Sequence, residues 1–367
     1  MTANDPGSKA TDGMGGEGYY DSHSAIQGNA VEQQAARLRR AVQALDRGRQ
    51  EITVIDYGCG PGRNSMAAFR AVLDEVRKHH GDLPIVAVHN DQISNDWNDL
   101  VANIQGPDGY LNDVDGVRVV VSAGSFFDTV ASPATIDLGM SFMASHWLDG
   151  ATSIISPDTL FFADMTGPAR DEIAAIADDH WTRFMRRRAR EVRPGGWLVF
   201  EAMSSIKDPD DRSGLAAGGH RLYRAFWQIA DGMVDEGLVE RAHLDAFVFP
   251  VYFRELHEIR APLEREDDLK AAFEIVELEN ELIPNPYVEA WRRDGDDTVY
   301  AKAYAAFARG FSESAFRNGL FNLSATEDNG ADALTETFYA RLEDLFRTEP
   351  DDHIFDNHSM TLVVRRR

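Results

Sequence analysis

The chain has 367 residues, 43% of them hydrophobic and 10% aromatic. That is material for one large domain or two ordinary ones with a full core, so wholesale disorder is excluded. Lys plus Arg number 37 against 61 Asp plus Glu, a formal charge of −24; such a surface repels phosphate backbones and anionic bilayers, so neither a nucleic-acid nor a membrane partner is expected.

Residues 1–18 are small, polar and glycine-rich and read as a flexible tail. They lack a basic start and an apolar stretch, so they are not a signal peptide; no run approaches 18 apolar residues, and a cytoplasmic protein is expected. Asp21–Leu45 carries Leu38, Val42 and Leu45 at helical spacing. Ile52–Tyr57 is a β-branched strand that ends in Gly58-Cys59-Gly60-Pro61-Gly62. Cys59 is the single cysteine, so no intramolecular disulfide or thiolate metal cluster can form; it reads as small-residue packing within the turn. Arg63–His80 is a helix with Phe69, Val72, Leu73 and Val76 on one face, stopped by Gly81. Ile85–Val88 is a second buried-type strand, ending at His89-Asn90-Asp91, and the order makes a right-handed βαβ unit.

Further strands are expected at Val117–Ser122, Thr135–Ser141 and Trp197–Ala202, the last after a long helix whose Arg183–Arg190 run reads as an exposed face. Helical patterns at Leu222–Glu236 and Arg265–Phe273 surround an aromatic patch, Phe247–Phe253. A strand follows at Glu274–Leu278, mostly helix over Thr298–Phe346, and a last strand at Ser359–Val364. The fold class is α/β, a Rossmann-like doubly wound sheet with a mainly helical cap. The expected division is a tail at 1–18, a core at 19–207 and 274–367, and a cap at 208–345 that overlaps the core boundary and covers the sheet's carboxyl edge.

Asp56-x-Gly58-x-Gly60-x-Gly62 follows a strand and opens a helix. Glycines admit close approach of a ligand, and a helix amino end offers free N–H groups. Asp91 ends the next strand, where a carboxylate can take both hydroxyls of a ribose. The turn lacks the Gly-x-Gly-x-x-Gly spacing of dinucleotide sites, and no Gly-Lys-Ser/Thr follows. The reading therefore moves from NAD and a P-loop toward S-adenosylmethionine, which has no pyrophosphate to cradle. A plain tight turn with a buried aspartate is the alternative.

Taken together, these segments resemble the SABATH family of carboxyl methyltransferases, known in plants for methylating salicylate, benzoate, jasmonate, indole acetate and xanthine alkaloids. The resemblance runs over roughly residues 16–365. Gly16-Glu17-Gly18-Tyr19-Tyr20-Asp21-Ser22-His23-Ser24-Ala25-Ile26-Gln27 is similar to the family's entry segment. It implies Tyr20 and Ser24 against the cofactor and Gln27 on the substrate carboxylate. Asp56 through Asn64 is similar to the cofactor turn, implying Asp56, Gly58, Gly60 and Asn64 as cofactor contacts. Asn90-Asp91-Gln92-Ile93-Ser94-Asn95-Asp96-Trp97-Asn98 resembles the family's Asn-Asp-Leu-x-x-Asn-Asp-Phe-Asn, with Asp91 on the ribose and Gln92 beside it. Gly124-Ser125-Phe126-Phe127 implies Ser125 and Phe126 at the adenine. Ser141 through His146-Trp147-Leu148 carries the Trp that is the second carboxylate donor. Arg190–Gly196, Trp227, and Gly237-Leu238-Val239 leading to Phe249-Pro250-Val251-Tyr252 also match.

The plant turn reads Gly-Cys-Ser-Ser-Gly-Pro-Asn where this chain has Gly-Cys-Gly-Pro-Gly-Arg-Asn, which points to a branch outside the plants. Met143 stands where many relatives have Tyr in the substrate wall, and Tyr304 and Phe307 are larger than in the salicylate enzymes. The resemblance further implies a homodimer.

The implied chemistry is methyl transfer to a small carboxylic acid. A carboxylate has a pKa of about 4 and is already ionised at neutral pH, so no general base is needed. Alignment and exclusion of water remain to be supplied. Gln27 and Trp147 offer neutral N–H donors, which hold the anion without quenching it as Lys or Arg would. His146 is open between a pocket wall, a satisfied structural histidine and a base for a less acidic acceptor. Trp227, Tyr252, Met143, Tyr304 and Phe307 form either a substrate cage, on the strength of the resemblance, or plain core. Asp208, Asp210 and Asp211 read as a solvated acidic run; no metal is expected. N- or O-methylation of an aromatic heterocycle or phenol is the alternative function.

Overall fold

Short β-branched runs become the middle of one seven-stranded sheet. The computed structural model describes residues 25–150, 152–354 and 357–367. The expected tail, Tyr20 and Ser24 lie outside the described residues. The strands are β1 (Ile52–Tyr57), β2 (Ile85–Asp91), β3 (Val117–Ala123), β4 (Ile136–Phe142), β5 (Val192–Met203), a small hairpin of β6 (Ser205–Lys207) and β7 (Leu215–Ala217), β8 (Phe273–Ile283) and β9 (Asn357–Arg366). The main sheet runs β3-β2-β1-β4-β5-β9-β8. The first five are parallel, and β9 is antiparallel to both neighbours. β1 is buried at every position and β4 at all but its last. Parallel strands covered on both faces favour mostly apolar runs, here broken by Thr53 and Asp56 in β1 and by Asp137 and Ser141 in β4, and that bias made them legible.

Two apolar layers sandwich the sheet. On one face Leu38 and Val42 of the helix Ala25–Gln43 meet Phe69, Val72 and Leu73 of the helix Arg63–His80. On the other, Trp181 and Phe184 of the helix Gly167–Glu191 join Ile259 and Leu263 of Leu256–Arg265. Each fully buried Leu, Val or Phe contributes roughly 1.5–3 kcal/mol relative to exposure. The doubly wound reading is thus the observed architecture.

A third apolar cluster lies where the parallel strands end. It includes Leu148 after β4, Met203 at the end of β5 and Ile283 at the end of β8. The helices His220–Asp235, Asp297–Phe316 and Ala331–Thr348 supply most of its rings. β8 belongs to the main sheet although it falls inside the 208–345 stretch, so the added helices come from both sides of it. β8 also runs to Ile283, beyond the expected Leu278. Arg265–Phe273 is not one helix. Leu256–Arg265 and Asp267–Ala272 meet at Glu266, and Phe273 already begins β8.

In the acidic run Asp210 is exposed, as expected, and Asp211 is not free but ion-paired. The run builds the turn between β6 and β7, with the Asp208 carboxylate accepting the N–H of Asp210 at 3.0 Å. Asp211 accepts from Arg224 at 2.7 Å and from Ser213 at 2.6 Å. Among the described residues no group of acids, histidines or cysteines is arranged to hold a metal ion, and no helix is long and apolar enough to cross a membrane.

Candidate active site

The turn after β1 is built on three glycines with left-handed backbones, φ 86° at Gly58, 55° at Gly60 and 100° at Gly62. A β-carbon on Gly58 would lie 2.4 Å from the Ala144 β-carbon, and one on Gly62 2.4 Å from Leu100 Cδ1. At those two positions the turn's own packing leaves no room for a side chain, whatever else the glycines do. Cys59 is buried beside them.

Asp56 is the penultimate residue of β1 and lies inside the protein, 3% exposed. Its Oδ2 accepts from the Ser65 hydroxyl, and its Oδ1 is buried with no hydrogen-bond partner among the described residues. Burial pushes this carboxyl up to about 7; the Ser65 bond opposes the rise and the charge of Asp91 adds to it. Asp91, at the end of β2, accepts the Gly60 N–H at 2.6 Å and the Gln92 N–H at 2.7 Å. Burial raises its pKa and these two bonds pull it down. Asn64 is half-buried in the first turn of the helix after the glycines. Asp56, Gly58, Gly60, Asn64, Asp91 and Gln92 are thus gathered at the carboxyl ends of β1 and β2.

Three asparagines clamp this edge. Asn90 donates to the carbonyls of Ser122 and Gly124 at 2.8 and 2.9 Å, tying β2 to the loop after β3. Asn95 donates to the Gly60 carbonyl and Asn103 to that of Pro61, both at 2.9 Å. The Phe126 ring approaches the Gly58 backbone, and the Ser125 hydroxyl accepts the Phe127 N–H at 3.2 Å. Asn103 and Ser65 escaped the sequence reading. Ser65 had a local signal, a hydroxyl in the first turn of the helix that the glycines open.

Arg188 was misread. Instead of an exposed face, the Arg183–Arg190 run includes a guanidinium with no exposed surface. It donates to the carbonyls of Phe126 at 2.8 Å and Asp128 at 2.9 Å, and pairs with buried Glu191 at 3.0 Å. It fixes the backbone of the loop that carries Ser125 and Phe126.

The second group follows β4. Residues 146–148 run antiparallel to 250–252. Trp147 and Val251 form a β-bridge, Leu148 N–H donates to the Pro250 carbonyl, and Tyr252 N–H donates to the His146 carbonyl, both at 2.9 Å. The half-buried Trp147 packs 5.7 Å from the Phe249 ring, and its indole N–H makes no hydrogen bond among the described residues. Met143 holds a left-handed backbone at φ 58°, its N–H bonded to the Glu201 carbonyl at 2.7 Å. Strained residues of this kind cluster at functional sites. His146 is 7% exposed, and its Nδ1 accepts the Met203 N–H at 3.3 Å, which leaves the ring proton on Nε2. Burial drives its pKa down to about 3, with Arg254 adding to the fall, so it is neutral at pH 7.

Met143, Trp147 and Trp227 pack against the third cluster, in which Tyr252, Tyr304 and Phe307 are core members. The Tyr252 hydroxyl donates to Glu258 at 2.6 Å and that of Tyr304 to the His353 carbonyl at 3.3 Å. Tyr304 and Phe307 stack at 5.9 Å. Gln27 lies in the first turn of the helix Ala25–Gln43; its side chain lies outside the described atoms.

A family model described as SAM dependent carboxyl methyltransferase matches residues 8–323. The chain belongs to the SAM dependent carboxyl methyltransferase family. Salicylate carboxymethyltransferase of Clarkia breweri is 26% identical over 298 residues, 77% of this chain and 79% of the relative. Caffeine synthase 1 of Camellia taliensis is 24% identical over 323 residues, 83% and 84% respectively. The solved structure of a loganic acid methyltransferase with SAH superposes with a TM-score of 0.74 at 18% identity, covering 97% of this chain and 99% of that one, and shares the fold.

This methyltransferase depends on S-adenosylmethionine, and its own residues fit that group. The cofactor carries positive charge, and the unpartnered Asp56 oxygen is a buried acceptor with a negative neighbour in Asp91. Asp91 and Gln92 close one side of the glycine turn, and Ser125 and Phe126 stand on the other. These residues would hold the cofactor, with Gly58, Gly60 and Asn64 forming the turn beneath it.

Proposed function

We propose that this methyltransferase esterifies a small apolar or aromatic carboxylic acid. The observation that carries the reading is the Trp147 indole N–H, a donor without a partner among the described residues, set beside the Phe249 ring at the carboxyl edge. When bound, S-adenosylmethionine supplies an electrophilic methyl group on a sulfonium. The chain must then hold an acid, aim one oxygen and keep water out.

Trp147 and Gln27 are read as the two donors to the acid. Each such bond to a charged group contributes about 1.5–3 kcal/mol. The acid arrives ionised, so no residue has to remove a proton. His146, neutral and committed at Nδ1 to the Met203 backbone, is read as a wall residue that orients Trp147. Met143, Trp227, Tyr252, Tyr304 and Phe307 are read as the apolar surround, which disfavours polyacids. Relatives named for carboxyl and for xanthine-alkaloid methylation both lie at similar identity, so the acceptor class is what must be tested.

The test is transfer from methyl-labelled S-adenosylmethionine to benzoate, salicylate, cinnamate, indole acetate, a long fatty acid and a terpenoid acid, with xanthine and a phenol alongside. The expected product is organic-extractable and base-labile, as a methyl ester is. Label on xanthine or phenol alone would replace the carboxylate reading with the heterocycle or phenol one.

A further inference from the structure

One buried carboxyl lies beneath both halves of the acceptor side and has no part in the chemistry described so far. Glu201 stands near the end of β5, between β4 and β9, with no exposed surface. Its Oε2 accepts from the Gln34 amide at 2.9 Å and its Oε1 from the Ser359 hydroxyl at 2.9 Å. The same Gln34 amide donates to the Thr361 hydroxyl at 3.0 Å, and Gln34 is itself fully buried. At the main chain, the Glu201 carbonyl accepts the Met143 N–H at 2.7 Å.

We propose that the Glu201 side chain is a positioning group for the acceptor: through Gln34 it fixes the helix Ala25–Gln43 that carries Gln27, beside the Met143 loop that the main chain at this position holds. The proposal rests on reading Gln27 and Met143 as acceptor-site residues. Gln27 and Gln34 are two helical turns apart, a spacing that puts both α-carbons on one face. The helix packs through Leu38 and Val42 on Arg63–His80, and a satisfied buried polar pair adds a specific rotation and height to that packing. Arg37, one turn beyond Gln34, pairs with Glu277, Glu279 and Glu281 of β8 and holds the same helix at a more exposed level. A carboxyl in a central strand is costly unless its oxygens are satisfied. Both oxygens of Glu201 are, and burial raises its pKa to about 8, against the pull of the Ser359 and Gln34 bonds.

The experiment compares Glu201→Leu, Gln34→Leu, their combination and Glu201→Gln in the full-length enzyme. Two readouts are used: steady-state kinetics with the best acid, and hydrogen exchange of residues 25–43. Glu201→Leu is expected to raise KM for the acid about tenfold, with a clearly smaller loss of affinity for S-adenosylmethionine, most of whose expected contacts lie on other elements. Exchange protection is expected to fall over 25–43 and not over Arg63–His80. The double variant should be no worse than either single one, because the two residues act as one contact. Glu201→Gln keeps an oxygen for Gln34 and should restore most of the acid KM. An unchanged KM in Glu201→Leu, or a loss of acid and cofactor binding in equal proportion, overturns the proposal. If Glu201→Leu does not fold, Gln34→Leu carries the same comparison. If the wild-type enzyme methylates no acid, the acceptor reading fails separately. The exchange pattern then decides the tether: loss confined to 25–43 and restored by Glu201→Gln supports it, and unchanged protection overturns it.

Discussion

The Arg188 guanidinium lies 4.1 Å from the centre of the Tyr57 ring, inside the layer that covers the sheet. The same group holds the carbonyls of Phe126 and Asp128 and pairs with Glu191, which also accepts from Tyr57 and from the Val130 N–H. One buried cation thus joins the end of β1 to the loop that carries Ser125 and Phe126.

Replacing Arg188 by Met would leave Glu191 buried without its counter-charge. Breaking a buried pair in this way costs about 3–5 kcal/mol. Urea denaturation should show that loss for Arg188→Met and recover part of it in Arg188→Met with Glu191→Gln. At temperatures where the single variant is folded, its affinity for S-adenosylmethionine should fall about tenfold, or 1.4 kcal/mol, because the Phe126 loop is released. Unchanged affinity would mean that the arginine serves stability alone.

Asp56 predicts a pH dependence whose sign is fixed by its raised pKa. The unfolded chain loses this proton near 4, the folded apoprotein only at about 7. Stability of the apoprotein therefore falls as pH rises through that window and is level above it. A cationic ligand favours the carboxylate and draws the pKa back down. Binding of S-adenosylmethionine should then release a proton near neutral pH, and affinity should climb up to about pH 7. Calorimetry in buffers of different ionisation enthalpy measures the proton directly. Asp56→Asn should abolish the release, flatten the profile and weaken binding; identical proton counts in both proteins would remove Asp56 from the cofactor site.

The parts of this molecule that were legible in sequence are those whose cause is local. Ile52–Ile55, apolar but for Thr53, and Leu362–Val364 are buried on both faces and therefore almost wholly apolar. Gly58, Gly60 and Gly62 stand where the backbone is left-handed, and a run of such residues announces a turn. The rest depends on distant partners. The strand expected at Glu274–Leu278 runs on through Glu279 and Glu281 to Ile283, and the partner of those acids, Arg37, lies some 240 residues earlier. Arg188 looks like one more surface charge because the carbonyls that receive it belong to a loop some 60 residues away. At the acceptor side, the proximity of His146 to Tyr252 comes from main-chain bonds between segments that share no periodicity. The family resemblance supplied those residues where spacing could not.

Trp147 can be tested by a smaller aromatic ring that cannot donate. Trp147→Phe keeps an aromatic ring against Phe249 and deletes the indole N–H. If that N–H holds the acid, KM for the acid should rise by about 1.5–3 kcal/mol, between roughly tenfold and a hundredfold. A neutral acceptor has no such bond to lose, so a small, equal effect on every acceptor would argue for packing alone.

Met143 offers a test in which the usual order of two residues is reversed. Ala is ordinarily the more stable of Ala and Gly, because Gly gains more freedom on unfolding. At φ 58° an L-residue carries a penalty of about 1–2 kcal/mol that Gly does not. Met143→Gly and Met143→Ala remove the same wall of the acceptor site and differ chiefly in that backbone term. Met143→Gly is expected to be the more stable of the two, by something under about 1 kcal/mol once the unfolded-state term is subtracted. Both should raise the acid KM alike, because the thioether is lost in each. If Met143→Ala is the more stable, the left-handed conformation is not held in solution, and the strain is no part of how this wall is set. If the order reverses but KM is untouched, the strain is real and Met143 faces something other than the acceptor.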